Sequence, residues 1–343
     1  MKKIYYITAV FATLFLVGCG DGIDLPGVNV ETDLNKIPLP DNNVNLEQVE
    51  LKPSTEPMLH EGLHTEEDFQ RIRDKKAAGE EPWVSAYQLL VESQFSQKTA
   101  DTYPTEWIKR GISGDENYMN AARGATIVYQ QALRWKIEQD DEYAAKAVEN
   151  LNKWVQTCVG VTGNTNLSLA AGLYGYEFAI AGELLRDYGG WDRADFAAFQ
   201  NWLLKVFYPA NDDFLKRHHD TNALHYWANW CLCNIAAKMA IGIVTDRRDI
   251  YNEGIDHLQT GDTNGRLRRA IYHDYAPDYN FAQWQESGRD QGHTLMCVGL
   301  MGIICQLAWS QGDDFFAYDD NLFMRACEYA ACCNYTNETV PYT

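Results

Sequence analysis

The chain has 343 residues and carries 29 Lys and Arg against 48 Asp and Glu, a formal net charge of −19. That balance excludes a nucleic-acid partner, since no basic patch offsets it, and it sits awkwardly with a polyanionic ligand. Hydrophobic residues make up 46% of the chain, with 10 Trp and 20 Tyr, enough for a large core, one main domain, and aromatic surfaces of the kind that stack on sugars.

In chain order, Lys2 and Lys3 precede an apolar run from Ile4 to Val17, too short to span a bilayer as a mature helix. It ends Leu16-Val17-Gly18-Cys19, a bacterial lipobox. Cleavage before Cys19 and acylation of its thiol predict an exported lipoprotein held at the periplasmic or outer-membrane surface, with residues 1–18 as leader. No later segment has the look of a membrane span. Residues 19–58 hold Pro26, Pro38, Pro40, Pro53 and Pro57 among Asn, Asp and Glu, a composition that buries little and reads as a tether. The folded domain is expected over 59–343.

Within it the pattern is helical nearly throughout. Thr65-Glu-Glu-Asp68 reads as a capping box, and Pro82 suits a first turn. Helices are expected over 116–138, 141–158, 167–188, 192–206, 221–243, 248–259, 289–310 and 319–334, with breaks at Gly-rich turns and at Pro209. Short irregular pieces are expected near 266–285, and no long β-alternation occurs. Consecutive helices joined by short turns favour antiparallel hairpins. The nine cysteines lack zinc-ligand spacing and, Cys19 apart, read mostly as small apolar residues of helices. No metal or other cofactor is expected. The basic clusters Lys216-Arg217-His218-His219, Arg247-Arg248 and Arg266-Leu-Arg-Arg269 read as solvated helix ends.

Two stretches carry chemistry: Asn222-Ala-Leu-His-Tyr-Trp-Ala-Asn-Trp230 and Gln285-Glu-Ser-Gly-Arg-Asp-Gln-Gly-His293. On a helix, Asn222, His225 and Asn229 fall within about 60° of one another. Glu286, Arg289, Asp290 and His293 share one stripe if the helix already runs from Glu286. Such polar groups need partners when buried, so the stripes predict helices lining a wet cavity. Between them, the irregular segment from Thr260 to Gln285 holds Tyr272, His273, Tyr275, Tyr279 and Trp284. Tyr226 falls off the polar stripe.

These motifs, with His60-Glu-Gly-Leu-His-Thr-Glu-Glu-Asp-Phe69, Gly172-Leu-Tyr-Gly-Tyr-Glu-Phe178 and Ala181-Gly-Glu-Leu-Leu185, resemble the alginate lyase superfamily, in a Bacteroidetes-type branch. The resemblance spans residues 60–343. It implies an α/α toroid, an incomplete barrel of antiparallel helical hairpins around a central cleft, and β-elimination of an anionic polysaccharide without a cofactor. By that resemblance Asn222 and Arg289 neutralise the uronate carboxylate and His225 and a tyrosine move protons. In the better-known branch the tyrosine lies seven residues beyond the Arg, where this chain has Met296, so Tyr279 is the first choice, then Tyr275 and Tyr272. His293 and the rings of Trp227, Tyr275, Trp284 and Tyr176 are candidate substrate contacts, and Glu286 and Asp290 hold Arg289 and His293. The resemblance also implies that further helices beyond Val340-Pro-Tyr-Thr343 close the ring.

Two other readings stay open. Glu286 and Asp290 as the acid and base of a glycoside hydrolase would have to stand about 5 to 9.5 Å apart with the sugar between them. A glycan-capturing surface lipoprotein would share the aromatic content but not need the convergent Asn, His and Arg.

Overall fold

The computed structural model describes residues 55–335 and 339–343; the leader, Cys19 and nearly all of the tether lie outside them. Thr65 and Asp68 form the capping box, each side chain accepting the other's backbone N–H, and start α1 (Glu66–Ala77). α2 (Trp83–Glu92) follows. A short strand β1 (Trp107–Arg110) then leads into the hairpin of α3 (Tyr118–Glu138) and α4 (Asp141–Thr157). The next repeat has the same order: β2 (Gly160–Gly163), α5 (Leu167–Leu185), α6 (Arg193–Val206). α7 (Tyr208–Arg217) precedes the hairpin of α8 (Ala228–Val244) and α9 (Arg248–Thr260). The irregular segment contains one turn of helix, α10 (Leu267–Ala270), and the antiparallel pair β3 (Ile271–Asp274) and β4 (Ala282–Trp284). α11 (Gln291–Ser310) and α12 (Tyr318–Tyr335) complete the order.

The first helix of each hairpin forms an inner row: α3 packs on α5, α5 on α8 and α8 on α11, while α4, α6, α9 and α12 lie outside them. Of the inner helices, α5, α8 and α11 are apolar almost all round because they are covered on most sides, whereas α3 carries polar residues as well. Every residue of α8 except Trp230 is buried. Close approach depends on small residues; a Cβ on Gly172 of α5 would come within 2.5 Å of Cys233 Sγ on α8. α11 has the length and apolarity of a membrane span, contrary to the sequence expectation, but its apolar residues are spent on α8 and α12 as a core helix.

The inner helices point the same way. β1 and β2 pair in parallel at the starts of α3 and α5, with Arg110 opposite Gly163. At the other end the entry segment ties the helix C-termini together. Gln311 Nε2 donates to the carbonyls of Leu59 and Glu61 at 3.0 and 2.7 Å, and Arg248 donates to those of Glu56 and Pro57. His60 meets Asp246 at 2.9 Å, and Arg186 joins Glu183 to Asp246.

Most helix limits match the sequence expectation within three residues, with instructive exceptions. Pro209 does not break the chain but sits in the first turn of α7, where its missing N–H costs nothing. The β1–β2 pair was not expected, its partners lying 53 residues apart (160 minus 107). α8 begins at Ala228 rather than 221.

One half-buried group carries a pH dependence. Glu177 of α5 has its Oε2 sealed and without a hydrogen-bond partner among the described residues. Burial pushes its carboxyl up to about 8, against a weaker downward pull from Tyr176. A raised folded value means that the protonated group's contribution is fully present below the unfolded pKa of 4.5 and is lost as pH rises to about 8. Glu177→Gln should therefore match the wild-type Tm at pH 4.5 and exceed it by roughly 4 °C or more at pH 8. Parallel melting curves at the two pH values check this; equal offsets at both would show Glu177 to be ionised throughout.

Candidate active site

The N-terminal ends of α8 and α11 are built from the two motif stretches, which are hydrogen-bonded to each other. Residues 221–227 form a turn: Asn222 Oδ1 accepts from the Leu224 N–H at 2.8 Å, and its carbonyl accepts from His225 N–H at 2.9 Å. The side-chain amide of Asn264 donates to the carbonyls of Leu224 and Tyr226 and pins the turn from behind. Ala228 N–H, the first of α8, donates to Gln285 Oε1 at 2.9 Å. Ahead of the turn, His218, His219 and Asp220 all adopt left-handed backbone conformations, with φ of 47, 53 and 58°. Such a run costs free energy and persists only where the surroundings fix it. Here His218 is buried against Phe214 and Cys231, and His219 Nε2 bonds Ser168 Oγ at the start of α5, 3.0 Å away.

Across from this turn, the Arg289 guanidinium lies over the Trp227 ring, 4.5 Å from Cζ to centroid, and bonds Glu286 Oε2. Glu286 is fully buried, and its carbonyl accepts the N–H groups of Arg289 and Asp290 at 3.0 Å each, so a turn of helical spacing precedes α11. Asp290 caps α11 by accepting His293 N–H at 2.9 Å, while His293 Nδ1 stands 2.8 Å from its Oδ2 and 3.6 Å from Glu286 Oε2. Burial pushes the Glu286 carboxyl up, with Arg289 and His293 pulling against it. Burial would also raise Asp290, but the bonds from His293 outweigh it and hold that carboxyl low. Arg289 Nε, Glu286 Oε1, Gln285 Nε2 and Asn229 Oδ1 are buried without hydrogen-bond partners among the described residues. Buried polar atoms are rarely left so, and water or a ligand entering here would complete them.

Over residues 73–338 the chain matches the family model described as alginate lyase. The chain belongs to the alginate lyase family. It is thus a polysaccharide lyase. No curated protein matches it in sequence. Among solved structures it resembles alginate lyase A1-III from Sphingomonas species A1, at 14% identity and TM-score 0.56, covering 81% of this chain and 80% of that one. A histidine-to-alanine variant of alginate lyase A1-III complexed with tetrasaccharide matches at 14% and 0.61, over 83% and 82%. An alginate lyase from Bacteroides ovatus matches at 14% and 0.54, over 78% and 82%. These likenesses establish the α/α toroid for this lyase.

The structure brings some of the expected residues together and corrects others. Trp227, Glu286, Arg289, Asp290 and His293 form one cluster. Asn222 and His225 are exposed on the turn, not on a helical stripe; only Asn229 of that stripe lies in α8, where it is buried with its amide against Met296 Sδ. Because α8 starts late, the reason for setting Tyr226 aside disappears. Its ring is buried against Phe214 and Trp230 and also meets His225 and His219, at 4.9 and 5.7 Å between centroids.

Trp284 is not a stacking platform: it is 1% exposed, packs on Phe323, and its indole N–H donates to the Ala326 carbonyl at 3.0 Å. Tyr176 is likewise buried in the core and unavailable to a sugar ring. Tyr279 is 54% exposed on the loop beyond β3. Tyr272 and Tyr275 share Gln283, which donates to the Tyr272 hydroxyl at 2.8 Å and accepts from Tyr275 at 2.5 Å. Burial pushes Tyr272 up to about 12 and also raises Tyr275, so both keep their protons at neutral pH.

Tyr342 and His219 escaped the sequence reading. Tyr342 packs on Gly288, whose φ of +82° and lack of a Cβ admit the ring within 2.7 Å of where a Cβ would stand. It thereby brings the tyrosine cluster up to the Arg289 turn. His219, read as part of a solvated helix end, is held in place by the left-handed run; burial lowers its pKa and favours the neutral imidazole. Among the described residues no His, Cys, Asp or Glu trio is placed to hold a metal ion.

Proposed function

We propose that this lyase cleaves a polyuronate of the alginate class by β-elimination, at the N-terminal ends of α8 and α11. The observation that carries the reading is the planar Arg289 guanidinium stacked on Trp227, with Nε still unbonded and its charge balanced by buried Glu286. An arginine fixed in this way suits a uronate carboxylate, because a guanidinium matches two carboxylate oxygens.

The reaction removes the proton on C5, moves that electron pair into a C4–C5 double bond and breaks the C4–O4 bond. Arg289, joined by the Asn222 amide, takes the charge that builds on the carboxylate as C5 is deprotonated. His225, exposed on the turn, receives the proton, and the Tyr226 hydroxyl beside it protonates the departing O4. His293 orients Arg289 through their shared contact with Glu286. Glu286 and Asp290 are both engaged in this cluster rather than set across a substrate-wide gap, which disfavours the hydrolase reading. Incubation with polymannuronate, polyguluronate and glucuronan should release an unsaturated, ultraviolet-absorbing uronate from at least one. Absence of that product from all three would overturn the reading.

We further propose that Cys19 carries a lipid anchor that places the lyase at the periplasmic or outer-membrane surface, on the strength of Leu16-Val17-Gly18-Cys19. Each buried CH₂ of an acyl chain contributes about 0.8 kcal/mol to anchoring, so several chains hold firmly. Cys19→Ala should move the protein from the membrane pellet to the soluble fraction; continued sedimentation with membranes would mean another attachment.

A further inference from the structure

Five lysines and arginines are buried among the described residues: Arg110, Arg134, Arg186, Lys238 and Arg325. Four of them face carboxylates, Arg134 on Glu138, Arg186 on Glu183, Lys238 on Asp212 and Arg325 on Asp274. Arg110 does not. It is 5% exposed, makes no hydrogen bond or ion pair through its guanidinium among the described residues, and has Nη1 sealed without a partner. Its guanidinium lies over Tyr118, 4.7 Å from Cζ to the ring centroid, and Tyr118 stacks on Tyr174. The carboxylates of the adjoining loop are turned elsewhere: Asp115 pairs with Lys109 at 2.6 Å, and Glu116 accepts the Gly111 N–H. A buried, unpaired cation is costly, so a position that keeps one is poised for an anion from outside the chain.

Arg110 closes β1 at the starts of α3 and α5, and neither helix has a side-chain cap on its first turn. The N–H groups of Leu167, Ser168 and Asn120 bond carbonyls of the preceding turn, so it is the positive ends of the two helix dipoles, rather than free donors, that favour an anion here. This place also adjoins the proposed cleft: the chain leaving β2, which lies opposite Arg110, continues through Asn164 to Ser168, which bonds His219.

We propose that Arg110, with Tyr118 and the positive ends of α3 and α5, is a second carboxylate-binding position of the cleft, taking a uronate unit away from the cleavage point. It rests on the polyuronate reading above. Arg110 is a binding and not a catalytic residue. Loss of one charge-assisted contact should raise KM about 10- to 100-fold in Arg110→Gln, with kcat changed far less and the penalty growing with chain length. The unliganded variant should melt at or above the wild-type temperature, because an uncompensated charge has been removed, whereas loss of a structural arginine would lower it. Oligouronates should raise the Tm of wild type more than of Arg110→Gln, with Arg110→Lys between them, and sulfate at equal charge should not. A wild type that forms no unsaturated product from any polyuronate sinks the substrate reading itself. An active wild type whose Arg110→Gln variant has unchanged KM, or a lowered Tm as its sole defect, overturns the Arg110 site; equal protection by sulfate makes it a general anion site and overturns the uronate assignment.

Discussion

Arg289→Lys is expected to lower kcat/KM on the cleaved polyuronate by about 10²- to 10³-fold, the usual loss when one donor to a developing anion is removed. Lysine keeps the positive charge beside buried Glu286, so the fold should survive; alanine would strand that carboxylate and confuse stability with catalysis. What lysine loses is the planar fork, over Trp227 with Cζ 4.5 Å from the ring centroid, that can meet two carboxylate oxygens at once. Steady-state rates read by ultraviolet absorbance, beside melting curves, separate the two effects. Near-wild-type kcat/KM in Arg289→Lys would mean that the guanidinium serves only the Glu286–His293 cluster.

The second large effect is expected at the proton-moving pair. His225→Ala should cost about 10²- to 10⁴-fold in kcat, as losing a general base does, with helical circular dichroism unchanged because the side chain is exposed on a turn. Tyr226→Phe removes one oxygen and should fall in the same range. His219→Ala provides the contrast. If it abolishes turnover while His225→Ala loses less than tenfold, the base is the imidazole bonded to Ser168, and the turn residue is a bystander.

The helical hairpins were legible in the sequence because long apolar periods between Gly-rich turns have one simple solution. The turn at 221–227 was not. Thr221-Asn-Ala-Leu-His-Tyr-Trp227 suits a helix by itself, and bonds from Asn264 and Gln285, distant in sequence, hold it open instead. The Arg289 cluster was legible for the opposite reason, since its members lie three and four residues apart and meet in one turn. Aromatic content misled at Trp284 and Tyr176, because a buried ring and a sugar platform look the same in a sequence. His219 was hidden by backbone: three left-handed residues in a row have no signature in His-His-Asp, though the adjacent histidines were noticed.

The entry segment has a consequence for orientation. Residues 56–61 fasten to Asp246, Arg248 and Gln311, at the rim where α5, α8 and α11 end, whereas the Arg289 turn and His225 stand where α8 and α11 begin. The two rims are one inner helix apart, about 26 Å for the 17 residues of α8. On the proposed Cys19 anchor, the folded domain would join its tether at the back, like a cup held by its base. Polymer arriving from the medium would meet the mouth of the cup first, and cut ends could leave without passing the surface that holds it.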